Sequence, residues 1–241
     1  MVTSGLDART IGSAMTEAAA EWGCHAEELG QLDALLGDGD MGVTAALGSN
    51  AMARYLAGQS EDDIGKLIMD CGTAVNRACP STFGTLLSSA LLGGGRAILG
   101  RPEIDIRDLV AVGRGAIDDV RRRGKAQVGD KTLLDCLVPG VEGLERAVRD
   151  GADNNRAIEA ALAAAKAGME ATIHMKAKLG RASYRHDGGV GIQDPGATAM
   201  YYLIQAFGRS LLRHGDRQVA TAHSRSSPLS TRRDRASGSS S

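Results

Sequence analysis

Three carboxylates fall within eight residues of the stretch LDALLGDGDMG, at Asp33, Asp38 and Asp40. If Asp33 lies on the last turn of a helix that Gly37 terminates, the freedom of Gly37 and Gly39 lets Asp38 and Asp40 fold back toward it. Like charges so gathered repel, and a bound cation is the natural reason to build such a cluster. Oxygen-only ligands select a hard ion, Mg²⁺ or Ca²⁺ rather than Zn²⁺. An EF-hand beginning at Asp38 would need a Glu where Ser49 stands, which removes that motif. Mg²⁺ usually keeps coordination sites for water and phosphate oxygens, so the loop points to a phosphorylated ligand. Read by spacing alone, the alternative is a solvated turn of helix-capping aspartates.

Three further segments carry polar chemistry. GKAQVGDKT, Gly124 to Thr132, is not a P-loop, because Asp130 separates Gly129 from Lys131 and no strand precedes it. It reads as a helix start capped by Asp130, either an ordinary cap or a place where free N–H groups bind an anion. RACPSTFGT, Arg77 to Thr85, opens another helix and offers Ser81 and Thr82 as caps or phosphate donors. GRASYRHDGGVGIQDPG, Gly180 to Gly196, is a long glycine-rich loop in which Arg181 can pair with phosphate and Asp194-Pro195-Gly196 turns into a helix. The five histidines form no recognisable pairing with a serine or cysteine nucleophile.

The elements that must hold these loops are helical. Periodicity with start and stop signals predicts eight: Asp7 to Leu36 with a break near Gly23, Val43 to Ala57, Asp62 to Arg77, Phe83 to Leu99, Asp105 to Arg122, Lys131 to Arg149, Asn154 to Met175 and Ala197 to about Leu212. Apolar residues are mostly Ala, Leu, Val and Ile, aromatics number seven, and no period-two runs stand out, so the expected class is all-α. Helices linked by polar loops can gather those loops at one end.

With 241 residues the chain suits one large domain, expected over residues 1–210. From Arg209 onward the net charge is +5, which leaves −6 for residues 1–208 against a whole-chain value of −1. The acidic body suits a protein that holds cations and gives no reason to expect nucleic acid or an anionic membrane as partner. Residues 211–241, rich in Ser and Arg, read as a disordered tail. Cys24, Cys71, Cys79 and Cys136 form no CxxC pair, the N-terminus has no signal-like pattern, and no run of 18 apolar residues occurs. The expected setting is the reducing cytoplasm, with no membrane span.

Together, LDALLGDGDMG, RGKAQVGDKTLLDCLVP and GRASYRHDGGVGIQDPGATAM resemble the nucleotide-binding (DhaL, or Dak2) domain of dihydroxyacetone kinases, in the same order and at similar separations, over about residues 5–210. The resemblance implies a barrel of about eight antiparallel helices with a nucleotide, ATP or ADP, bound by loops at one end. It implies that Asp33, Asp38 and Asp40 hold two Mg²⁺ ions that bridge the phosphates. Met41, Gly42, Val43 and Thr44, then Ala78 and Cys79, match nucleotide-contacting positions. Gly129 and Val138 match positions on the adenosine side; Arg181, Asp194, Pro195 and Gly196 match the last loop.

The family binds its sugar on a separate DhaK domain or subunit, so the resemblance implies half of a kinase, acting on dihydroxyacetone or a related small ketose held by a DhaK-like partner. The donor is either ATP, or a phosphohistidine carrier protein of the phosphotransferase system that recharges a permanently held ADP. A regulatory module that contacts a transcription factor, or a fatty acid kinase, are the readings from other classes, and the chain could also pair with itself as a homodimer. Two departures stand out: Met41 replaces the family's usual His, and Pro80 removes a backbone N–H from a turn that cradles phosphate.

Overall fold

The computed structural model describes residues 5–226, with side chains to residue 217. Among them are nine α-helices: α1 (Ala8–Cys24), α2 (Ala26–Ala34), α3 (Met41–Ala57), α4 (Ile64–Ala78), α5 (Thr82–Arg96), α6 (Ile106–Gly124), α7 (Leu134–Arg149), α8 (Asn154–Ala171) and α9 (Pro195–Ser226). The expected all-α class is what the chain forms. Two two-residue strands, β1 (Leu6–Asp7) and β2 (Glu103–Ile104), pair antiparallel, too short to leave any periodicity in sequence.

The helix count exceeds eight because the first long segment breaks at His25. His25 stacks on Tyr202 of α9, with ring centroids 3.8 Å apart and planes 11° from parallel. Its Nδ1 lies 2.7 Å from Glu28, and Tyr202 donates its hydroxyl to the other oxygen of Glu28 at 2.7 Å. The elbow thus fixes α2 against the last helix. At the other end, α9 continues to Ser226, past the expected stop near Leu212. Residues 211–226 of the segment expected to be disordered are therefore helical, and residues 227–241 lie outside the described residues.

Caps set several helix starts. Asp7, Asp63, Ser81, Asp105 and Asp153 each accept a backbone N–H from the first turn of the helix they precede, so orphan donors are satisfied before packing begins. Asp105 and Asp108 form a reciprocal capping box.

Packing closes a ring. α1 lies against α3, α3 against α4, and each helix from α4 to α9 against the next, until α9 returns to α1. Inward side chains such as Ile11, Trp22, Ile64, Leu87, Ile117, Leu134 and Met200 are buried, and each large one contributes roughly 1.5–3 kcal/mol. Close approach needs small residues at particular crossings. A Cβ on Gly42 would lie 2.6 Å from the Ala26 carbonyl oxygen, so the α2–α3 crossing depends on glycine there.

The up-and-down arrangement has a consequence for function. α3, α5, α7 and α9 begin on one face of the barrel, where α2, α4, α6 and α8 end. Four helix N-termini, with their partial positive charge and spare N–H groups, meet the same open space.

Candidate functional site

At that face lies an open cleft of about 830 Å³. It is lined by Asp33, Leu36, Gly37, Asp38, Asp40, Met41, Gly180 and Arg181, by the start of α5 and the end of α6, and by Lys131 to Leu134 and Asp194 to Gly196.

Local geometry brings the carboxylates together. The Gly37 amide donates to the Asp33 carbonyl at 2.6 Å, which closes α2, and Gly39 turns the chain at φ +76°, a left-handed conformation that glycine adopts freely. The chain then enters α3 with Met41 N–H donating to Asp33 Oδ2 at 3.2 Å. Oxygen atoms of Asp33, Asp38 and Asp40 consequently lie within 4.8 Å of one another. Burial pushes the Asp33 carboxyl above its ordinary value, and the negative charges of Asp40 and Asp38 push the same way, against the lowering effect of the Met41 hydrogen bond. Such a cluster of hard oxygen donors fits Mg²⁺. Arg181, from a 3₁₀ turn at Arg181–Tyr184, sets Nη2 2.6 Å from Asp38 Oδ2.

The turn before α7 is organised differently from the sequence expectation. Asp130 does not cap α7. It accepts the Gln127 N–H at 2.8 Å and the Lys178 ammonium at 3.0 Å. Asp135, buried in the first turn of α7, accepts the N–H groups of Gly129 at 2.6 Å and Thr132 at 2.7 Å. The short connection is therefore tied up internally, and the N–H groups of Gly129 and Thr132 are not free for an anion. Ser81, in contrast, is the cap that the sequence suggested, accepting Gly84 N–H at 3.0 Å.

Of the residues singled out from sequence, Asp33, Asp38, Asp40, Met41, Arg181, Asp194, Pro195 and Gly196 line the cleft together. Gly42 sits at the α2–α3 crossing. Val43 is exposed on the outside of α3. Thr44 and Cys79 are buried and do not line the cleft; the Thr44 carbonyl accepts the Cys79 thiol at 3.6 Å, and Ala78 ends α4 next to Cys79. Gly129 turns at φ +91° in the connection before α7, and Val138 is buried in the barrel core. Pro80 lines the cleft between Cys79 and Ser81.

Asp194 precedes α9 and accepts the Ala197 N–H at 2.7 Å, while its own N–H donates to the Thr172 hydroxyl at 3.0 Å. Burial pushes its carboxyl up to about 7, opposed by that N–H bond and by Lys131.

Sequence reasoning missed the apolar part of the cleft, where Phe83, Leu86, Val120, Ala126 and Leu133 offer a surface for a flat ring. Each belongs to a helical stripe or connection that looks like ordinary core, so no local pattern marks it. Arg123, at the end of α6, also lines the cleft.

The DAK2 domain family model matches residues 35–209. The PEP-dependent dihydroxyacetone kinase, ADP-binding subunit DhaL of Escherichia coli is 32% identical over 181 residues, covering 75% of this chain and 86% of that protein. The D-erythrulose kinase of Mycolicibacterium smegmatis is 35% identical over 192 residues, 78% of this chain but 32% of the relative. The solved structure of the dihydroxyacetone kinase from C. freundii in complex with AMP-PNP and Mg²⁺ superposes with a TM-score of 0.63 at 24% identity, over 83% of this chain and 33% of that one, which shows a shared fold. The helical ring, the carboxylate loop at its open end and these similarities agree, and the chain belongs to the DAK2 domain family.

Proposed function

We propose that this chain is the Mg-nucleotide-binding subunit of a dihydroxyacetone-type kinase, which passes a phosphoryl group to dihydroxyacetone or a related small ketose held on a separate DhaK-like subunit. The observation that carries the reading is the meeting of Asp33, Asp38 and Asp40 with Arg181 in a cleft ringed by four helix N-termini. That arrangement suits phosphates and their counterions.

The roles follow from position. Asp33, Asp38 and Asp40 would hold Mg²⁺, two ions in the reading drawn from the family, and the metal would neutralise phosphate charge and align donor with acceptor. Arg181 exchanges its bond to Asp38 for one to the transferred group, where a planar guanidinium stabilises spreading charge. Phe83, Leu86 and Val120 receive the base. Met41 provides no ring nitrogen for the nucleotide but is buried with the hydrophobic core at the start of α3. The ketose acceptor is favoured by relatives named as dihydroxyacetone and erythrulose kinases.

The cleft mouth supports docking of the acceptor subunit. Leu35, Val43, Val128, Leu179, Tyr184 and Val190 are large apolar residues left exposed on the first turn of α3 and on the connections that join the helices at this face, with Tyr184 at 91%. A rim of this kind is suited to a partner surface that seals the cleft from water.

Two phosphoryl donors fit the site. Relatives whose length this chain nearly spans are PEP-dependent, ADP-binding subunits, which favours ADP held as a coenzyme and recharged by a phosphohistidine carrier. Direct use of ATP is the second form of the same chemistry. Native mass spectrometry of the protein purified in Mg²⁺ separates them: retained ADP supports the coenzyme form, and an empty protein that takes up ATP reversibly supports the other. Failure to bind either nucleotide would refute both. Among the described residues no helix is long and apolar enough to cross a membrane.

A further inference from the structure

Lys131 has a backbone φ of +61°, in the left-handed region that residues with a side chain avoid. The residue is nevertheless only 2% exposed, so the ammonium is buried at the edge of the cleft. Four backbone carbonyls surround Nζ: Thr172 at 2.8 Å, Met175 at 3.2 Å, Gly189 at 2.7 Å and Ile192 at 2.6 Å. An ammonium has three N–H groups, so four oxygens exceed its donors. The shell resembles the carbonyl coordination of a monovalent cation more than a set of paired bonds.

The positions of those carbonyls are informative. Thr172 and Met175 stand where the chain leaves α8, and Gly189 and Ile192 stand just before α9. The ammonium thus sits at the base of the whole connection, whose projecting part contains Arg181. Other bridges cross the same base: Ala177 N–H donates to Gly188 and Gly191 N–H to Ile173, at 2.9 and 2.7 Å. Lys178 anchors one side to Asp130. Nearer the tip, Arg185 donates to the Leu35 carbonyl at 3.0 Å, which brings the loop to the carboxylate turn.

From this geometry we infer that Lys131 is a positioning residue: its ammonium clasps both ends of the α8–α9 loop and so holds Arg181 over the carboxylate cluster. It does not reach phosphate as a P-loop lysine would, because its donors are spent on carbonyls. A glycine would suit the backbone angle better, and only the side chain explains a lysine in that conformation. The contribution of Lys131 to phosphoryl transfer rests on the cleft being the Mg-nucleotide site, whereas its ordering of the loop does not.

The full chain with Lys131→Met and Lys131→Ala supplies the test. Three quantities are read: helical circular dichroism, the rate of tryptic cleavage after Lys176, Lys178, Arg181 and Arg185, and affinity for Mg-ADP. Without the charge-assisted hydrogen bonds from Nζ to the loop carbonyls, the Met variant should keep its helices, be cut at least about tenfold faster in the loop, and bind Mg-ADP about tenfold or more weakly. Propylammonium replaces the atoms missing from Lys131→Ala and should restore slow cleavage and affinity; tetramethylammonium at equal ionic strength, which has no N–H, should not. Parent-like cleavage and affinity in a folded Met variant would overturn the inference, as would equal rescue by both salts. If the Met variant does not fold, the Ala variant in propylammonium decides, and failure to fold there would make Lys131 a requirement of folding and overturn the positioning role. A parent chain that ignores Mg-ADP would refute the proposed function, and the cleavage measurements alone would then judge the clasp.

Discussion

Arg181 and Asp38 meet at 2.6 Å although one belongs to the loop before the last helix and the other to the turn before the third. The pair joins the two segments on which the proposed chemistry depends. Both side chains are well exposed, at 68% and 37%, so their attraction is screened and contributes at most about 1 kcal/mol to folding. Arg181→Lys should therefore unfold at nearly the parent urea concentration, yet transfer phosphoryl at least about a hundredfold more slowly, because an ammonium cannot reproduce the planar fork. Equal transfer rates would remove Arg181 from the mechanism.

Asp194 predicts a pH dependence. Its carboxyl is held at about 7 when folded against an ordinary 3.8, so the folded chain binds that proton more tightly than the unfolded chain. Stability from this group is greatest below 3.8, falls as pH rises through the interval and is level above about 7. The gap corresponds to an upper bound of roughly 4 kcal/mol. Asp194→Asn keeps an oxygen for the Ala197 N–H and abolishes the titration. Urea denaturation of the nucleotide-free protein at pH 5 and pH 8 should show the parent losing about 2 kcal/mol more than the variant between the two. Parallel losses would show that Asp194 is not held protonated by burial.

Gly42 tests whether the cluster depends on helix approach. Alanine there places a methyl 2.6 Å from the Ala26 carbonyl oxygen, so α2 and α3 must separate. Gly42→Ala is expected to cost about 1–3 kcal/mol in denaturant unfolding. Because Asp33 ends one helix and Asp40 precedes the other, Mg²⁺ affinity measured by calorimetry should fall as well. Unchanged affinity with lowered stability would show that the carboxylate turn is independent of the crossing.

Much of this architecture was legible in sequence, for identifiable reasons. The start of α5 was marked by Ser81, whose capping role is local and leaves a local pattern. The carboxylate turn was legible because Gly37 and Gly39 announce a chain reversal between charged residues. The GDKT segment misled because its chemistry is long-range: Lys131 is satisfied by carbonyls from Thr172 to Ile192, and Asp130 by Lys178. The continuation of α9 beyond Leu212 was hidden by a Ser- and Arg-rich composition without apolar periodicity. For Gly42 and Val138, the match to a nucleotide-contacting position gave no warning that one lies in a helix crossing and the other in the core.

Tyr184 separates partner docking from nucleotide binding. Its ring is 91% exposed on the loop that carries Arg181. Tyr184→Ala should leave Mg-ADP affinity unaltered while weakening association with the acceptor subunit by about 1–2 kcal/mol, seen as a raised half-saturation for that subunit in transfer assays. A change in nucleotide affinity with normal partner saturation would place the ring in the cleft instead.

The proposed function stands or falls on whether Asp33, Asp38 and Asp40 hold the metal through which the nucleotide's phosphates are bound. Calorimetric titration of ADP, with and without Mg²⁺, into the parent and Asp38→Asn proteins decides it. The parent is expected to bind ADP only with Mg²⁺, and the variant, folded and of near-parent stability because the screened pair with Arg181 that it loses is worth at most about 1 kcal/mol, is expected to lose that binding. Binding of ADP by the parent regardless of Mg²⁺, or by Asp38→Asn as tightly as by the parent, would contradict the metal-bridged site.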